Sequence, residues 1–447
     1  VLKSSIFESY NSGTIGEFSG YFANQASGNI FSNADYTSPF NYYRDYIINI
    51  SEVMRLTAED PQKNDQNAMA RIWKVWLYHW VTDAYGDIPY FEAAQGVENV
   101  INQPKYDTQE VIYTDMLKEL KGAQGNQLSF GNADILYQGN VESWKKFANS
   151  LRLRLAIRTR FASPSLASEH ISDLINKPLI DENSENASLR TLPPNSSENT
   201  NNINYIWTRE LTATTPMFVG FPIMDVMIPT ADPRLPVLAS PALDGSESFR
   251  GRPIQLLQEE KEPYGQEMVA SVGPLLKEET YDIIVMNAAE VHFLKAEAAF
   301  AGITGEDANQ LYQMGIQASM EQYAISETAI QGFLGGATGT LMGTEEEQFK
   351  KIVTQKYIST FFQHYQGWAE YRRTGYPTVW IGSDAGVTNG QIPRRLTYPN
   401  DEYLKNEANV KAAADRMGGD ELLTRVWWDA REGVPIRHPL QDVFPPN

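Results

Sequence analysis

Residues Ala70–Tyr90, ARIWKVWLYHWVTDAYGDIPY, decide how this chain is to be read. Ile72, Trp76 and Trp80 fall four apart, with Val75 and His79 beside them. Met69, Trp73 and Leu77 widen the apolar face, so the spacing predicts a helix. Tyr85-Gly86-Asp87-Ile88-Pro89-Tyr90 then ends it. Gly86 is free to take positive φ, and Pro89 pushes Ile88 into an extended state. A helix this rich in tryptophan is expected to be buried on most sides and to pack against other helices.

The same segment carries a resemblance. Thr82–Ala93, TDAYGDIPYFEA, resembles the signature of the SusD/RagB family, in its SusD-like branch. Four further stretches resemble that family in the same order: Trp144–Arg158 (WKKFANSLRLRLAIR), Met286–Ala299 (MNAAEVHFLKAEAA), Gly367–Pro377 (GWAEYRRTGYP) and Ile392–Asn406 (IPRRLTYPNDEYLKN). Together they span the chain from about residue 40 to its C-terminus. The family comprises starch-binding-associated outer-membrane lipoproteins of Bacteroidetes that capture nutrients beside a TonB-dependent transporter.

The composition bounds the class. The chain has 447 residues, 42% apolar and 21% charged, which is a globular composition with ample core. Its formal net charge of −19 argues against nucleic acid and against anionic lipid as partners. Cysteine is absent, which excludes disulfides, thiol catalysis and zinc–thiolate sites. No run of 18 apolar residues is present to span a membrane. The chain begins at Val1 rather than Met, so an upstream segment is expected to have been removed. The resemblance implies that this segment is a lipoprotein signal peptide followed by a lipidated Cys.

Along the chain the pattern is one of paired amphipathic helices. Residues 1–40, rich in Ser, Asn, Gly and aromatics, are expected to form an ordered, loop-rich lead-in. Helices are expected at 41–58, 66–83, 141–161, 285–302, 307–323 and 345–371. Another is expected to start at Asp107 and Glu110 through a capping-box-like pair. Small residues at contact positions (Ala288, Ala289, Ala296, Ala298, Ala299) suggest tetratricopeptide-like packing, although no clean 34-residue repeat is visible. The expected fold is mostly α: tetratricopeptide-like helix pairs forming an α-α superhelix scaffold with long irregular insertions. Residues 1–447 are read as a single SusD-like domain. The scaffold covers about 41–175 and 285–375, and loop-rich ligand-side regions cover about 1–40, 176–284 and 376–447.

No HExxH, GxSxG, P-loop or GxGxxG pattern occurs in its proper context. The five histidines (79, 170, 292, 364, 438) show no metal-pair spacing, so neither a metal nor a cofactor is expected. His292 is expected to be packed or hydrogen-bonded within its helix. Asp83 and Asp87 are read as bonding backbone N–H groups of the helix-ending turn. Arg152, Arg154, Arg158, Arg160, Arg372 and Arg373 are read as partners of Glu290, Glu297 or Glu370, not as a polyanion site. Arg394 and Arg395 are expected to anchor the C-terminal loops.

Aromatics outside helices are the ligand signal, because sugar C–H faces stack on Tyr and Trp while nearby polar side chains bond hydroxyls. Tyr36, Tyr205, Trp207, Tyr264 and Trp380 are the candidate ligand-binding residues. Asn201, Asn202, Asn204 and Arg209 flank Tyr205 and Trp207. The resemblance implies a non-catalytic, lipid-anchored outer-membrane protein that takes a glycan to a SusC-like TonB-dependent transporter. Three alternatives stay open: a glycan-cleaving enzyme on a helical scaffold, a peptide-binding RagB-like protein, and a cytosolic tetratricopeptide scaffold.

Overall fold

The computed structural model describes residues 1–10, 13–23, 31, 34–95, 100–123, 131–191, 218–254, 256, 260–278, 280–380, 386–388, 390–435 and 438–439. Its helices are, in chain order, α1 (Leu2–Tyr10), α2 (Gly13–Phe18), α3 (Ile48–Thr57), α4 (Asn64–Tyr85), α5 (Gln109–Gly122), α6 (Val141–Thr159) and α7 (Pro164–Leu174). After them come α8 (Phe221–Met227), α9 (Leu235–Leu238), α10 (Ala288–Phe300), α11 (Ala308–Gln322) and α12 (Glu327–Leu334). The last are α13 (Glu345–Ser359), α14 (His364–Thr374), α15 (Asn400–Lys405) and α16 (Glu407–Met417). The strands, β1 (Phe22–Ala23), β2 (Ile88–Pro89), β3 (Tyr106–Asp107), β4 (Ala187–Leu189), β5 (Phe218–Val219), β6 (Ala239–Ser240), β7 (Ser271–Val272) and β8 (Ile283–Met286), are two to four residues long. The fold is mostly α, as the periodicity predicts.

The chain divides into two compact units. The first comprises Val1–Ser5, Asn33–Ile180 and Pro393–Glu432. In it α3 packs on α4, α4 on α5, α5 on α6, and α6 on α7. Trp73, Trp76, Trp80, Trp144 and Phe147 are buried there. Trp73 stacks on Trp76 with ring centroids 4.3 Å apart, and the Trp73 Nε1–H donates to Ser5 Oγ at 3.2 Å. Gly86 caps α4 with φ +86°, and a Cβ there would lie 2.6 Å from Met417 Sδ. Both facts require glycine where the helix turns into β2, which pairs antiparallel with β3.

The second unit comprises Ile6–Ser32, Asp181–Ile392 and Gly433–Asn447. Here α10 packs on α11 and α13, and α13 on α14. Phe293, Leu294 and Trp368 are buried, as are Ala288, Ala289, Ala296 and Ala298. Strands β1, β5, β7 and β6 form a four-stranded antiparallel sheet, and β4 pairs with β8.

Three local expectations are corrected. Helix α5 starts one residue later than the Asp107–Glu110 pair implies: Thr108 is the N-cap and accepts from Val111 N, while Asp107 accepts from Tyr90 N and Phe91 N. The stretch 345–371 is not one helix. It breaks after Ser359, where Phe362 takes φ +76° and packs its ring 4.5 Å from Phe22. Burying Phe361 and Phe362 together offsets that backbone conformation and turns α14 back onto α13. The lead-in and the C-terminal region, expected to be irregular, carry α1, α2, α15 and α16.

Candidate functional site

The turn that ends α4 is built from charged groups that satisfy one another. The buried Asp83 carboxylate pairs with Arg158 and accepts from Tyr113 Oη and from Trp428 Nε1, the latter at 2.8 Å. Asp87 accepts from Gln109 N at 2.9 Å and from Arg416 at 2.7 and 3.0 Å. Burial raises the Asp87 carboxyl above the usual range, and the Gln109 N–H and Arg416 oppose that shift. Both aspartates are therefore structural. Their partners lie on α5, α6 and the C-terminal segment, not in the turn itself as the local reading expects.

The arginines are likewise committed. Arg373 pairs with Glu297 at 2.6 Å and with Glu370 at 2.8 Å, and Lys356 joins Glu370 at 2.9 Å. Burial lowers the Lys356 ammonium below its usual range while Glu370 opposes the shift. Arg152 pairs with Asp173 and Arg158 with Asp83, not with the glutamates expected from sequence. Arg394 binds Asp429 and Arg395 binds Asp420, so the C-terminal segment is anchored as expected. His292 is buried, with Nε2 2.9 Å from Asp181 O.

The candidate rings do not share one fate. Tyr36 is half-buried, and its carbonyl accepts from Tyr85 Oη. Tyr205 and Trp207 lie outside the described residues. Tyr264 and Trp380 do not present the exposed faces expected of them. At 1% and 0% exposure they sit in a core cluster with Phe218, Phe221, Leu256 and Val269. Arg250 covers the Tyr264 ring at 4.5 Å, and burial pushes the phenol up to about 12. Non-helical sequence is no sign of exposure here: irregular chain packs these aromatics against Phe218 of β5 and Phe221 of α8.

Sequence reasoning missed a concavity in the second unit. A cavity of about 590 Å³ lies among the end of α8 (Asp225), the turn after it (Thr230), the loop before α13 (Thr338, Met342), the α13 face (Glu347, Lys350, Thr354) and Pro377. A second cavity, of about 370 Å³, shares Thr230 and Thr338 with it and reaches Phe333 and Gly336. The loop side chains that shape it have no periodicity to betray them. The Thr-rich, Gly-rich text GATGTLMGT (residues 336–344) is the one sequence sign of an irregular wall.

Residues 6–399 match the family model described as "Starch-binding associating with outer membrane". Among solved structures, one titled a chitin-binding protein is similar at 28% identity, with TM-score 0.82, covering 95% of this chain and 96% of that one. A SusD homologue from Bacteroides uniformis is 27% identical, with TM-score 0.79, covering 96% and 99%. A chitin-binding SusD homologue from Flavobacterium johnsoniae is 25% identical, with TM-score 0.80, covering 95% of each chain. No curated protein matches the chain. The family match over most of the chain, on a helical scaffold that carries the expected motifs, means that this protein belongs to the SusD-like branch of the SusD/RagB family.

Proposed function

We propose that this protein is a non-catalytic, surface-exposed lipoprotein that captures a glycan and delivers it to a SusC-like TonB-dependent outer-membrane transporter. One observation carries the reading: the family match runs through residues 6–399, and similar structures that bind chitin by title align over nearly their whole length. No helix among the described residues is long and apolar enough to cross a membrane, and a lipid anchor would supply attachment. The acids Asp83 and Asp87 are engaged in ion pairs with Arg158 and Arg416, which supports a structural part for them. Tyr36, Tyr205 and Trp207 are the rings proposed to stack on sugar; stacking worth about 1 kcal/mol per ring predicts affinities near micromolar to millimolar.

Native electrophoresis through gels containing soluble starch, glycol chitin or xyloglucan tests capture, with a reducing-end assay run on the same glycans. Retardation without new reducing ends is expected. Release of reducing ends, or free migration in every glycan tested, overturns the proposal. Replacing Tyr36, Tyr205 or Trp207 singly with Ala is expected to weaken binding several-fold while leaving the melting temperature nearly unchanged.

A further inference from the structure

We propose that the paired cavities beside Thr230 and Thr338 are a saccharide site of their own, taking a short neutral oligosaccharide; this rests on the glycan-binding reading above. The cavity wall is preorganised. Gly335, Gly336, Ala337, Met342 and Gly343 are exposed, so water could satisfy their backbone. Side chains do so instead. The Lys351 ammonium donates to three carbonyls, those of Ala337 and Thr340 at 2.8 Å and of Met342 at 3.2 Å. Tyr312 Oη donates to Thr338 O at 2.7 Å, Gln313 Nε2 to Gly339 O at 3.1 Å, and Gln348 Nε2 to Gly343 O at 2.9 Å. Leu341 N donates to Asn309 Oδ1 at 2.8 Å. Fixing five long side chains costs conformational entropy, and the return is a rigid cavity wall.

The groups left over on the lining select the ligand. Lys351 has spent all three of its N–H donors on the wall, so it offers a ligand none. Asp225 shares Oδ2 with His438 at 3.2 Å, and Glu347 gives Oε2 to Thr344. Among the described residues each carboxylate therefore keeps one oxygen for a ligand. Lys350 lies 5.6 Å from the Tyr376 ring centroid. The Thr354 hydroxyl is shielded from solvent and makes no hydrogen bond among the described residues. Hydroxyls, carboxylate oxygens and one ammonium among Pro229, Pro377, Val226 and Met342 form an amphiphilic lining. An anion would meet two carboxylates against one available cation. An apolar ligand would leave the Thr354 hydroxyl and the carboxylate oxygens without partners. A neutral sugar satisfies both demands, with hydroxyls for the polar groups and C–H faces for the aliphatic ones. Two chambers of about 590 and 370 Å³ suit an oligomer better than a single ring.

The test uses the whole chain with 13C-labelled Met and Thr methyls, titrated with maltotriose, N,N′-diacetylchitobiose, xylotriose and, as an acidic control, glucuronate. The Met342 signal, assigned by Met342→Leu, is expected to shift saturably with at least one neutral saccharide. Thr354→Val is expected to weaken that response roughly fivefold, the worth of one hydrogen bond, while the melting temperature holds. Tyr36→Ala is expected to leave it unchanged. Shifts confined to other methyls overturn this site and leave glycan capture standing. A response to glucuronate alone overturns the ligand class. No response to any of the four overturns the site, and retardation in polysaccharide gels then reports separately on glycan capture.

Discussion

His170 shows how one buried contact sets a pH response. Arg152 Nε donates to His170 Nδ1 at 2.8 Å, so that nitrogen holds a lone pair and the ring is neutral. A second proton would set two N–H groups against each other. Burial, with Arg152 adding to it, pushes the imidazole down from 6.5 to about 4. The sign follows. As pH falls through 6.5 the unfolded chain takes up a proton that the folded chain refuses until about pH 4. This contribution to stability is complete above pH 6.5, declines toward pH 4 and is level below. His170→Gln is therefore expected to flatten the fall in urea midpoint across that window; an unchanged slope would count against the assignment. Asp173, whose pKa is lowered by Arg152, acts below its usual 3.8 and leaves the window clear. Asp83 offers a second test. Asp83→Asn leaves Arg158 buried beside a neutral partner, and breaking such a pair costs about 3–5 kcal/mol. A large loss of stability with glycan binding retained is expected. Normal stability with binding lost would make Asp83 a ligand residue.

At the scale of elements, the α10–α11 contact depends on one missing side chain. A Cβ on Gly315 would lie 2.7 Å from the Phe293 ring, which is fully buried. Gly315→Ala gains about 1 kcal/mol of helix propensity but overpacks a rigid core position, at about 1–3 kcal/mol. Overpacking is expected to win, and the urea midpoint should fall. Gly315→Ala with Phe293→Leu should recover part of the loss, since the contact and not the helix is at fault. The same reasoning explains the capping box of α13. Thr344 Oγ1 accepts from Glu347 N, and the Glu347 side chain returns to Thr344 N at 2.8 Å. That exchange starts α13 at the cavity rim and holds Glu347 in its lining.

For the whole molecule the governing quantity is charge. A net charge of −19 repels anionic polymers at long range and is indifferent to neutral ones. Retardation by neutral starch or chitin derivatives is therefore expected to stay within about twofold between low and high salt, because stacking and hydrogen bonds are not screened. Polygalacturonate is expected to bind weakly at low salt. Strong binding of that polymer, lost on adding salt, would point to a basic surface that the net charge conceals. On the proposed role a captured glycan is passed on, so recovery with a β-barrel transporter from native outer membrane is the matching expectation at this scale.

The sequence alone determined what rests on local spacing and on burial over a few turns. The Trp-rich α4, the cores around Trp144, Phe293 and Trp368, the Gly86 turn and the helix pairs were legible because hydrophobic period and turn chemistry act within about twenty residues. Five ordered motifs carried the family. Tertiary structure alone decided what depends on distant chain meeting in space. Asp83 finds Arg158 and Trp428, far along the chain, and no spacing rule names such partners. The break at Phe362 follows from the rings it meets, and polar α16 buries little beyond Val410, Ala413 and Ala414, too narrow a stripe to read. Tyr264 and Trp380 looked like exposed loop aromatics and became core, because burial is a property of the neighbours a residue is given, not of the residue. The cavity beside Thr230 has the same origin: its wall is a loop whose shape is set by Lys351, Tyr312 and Gln348 reaching it from two helices.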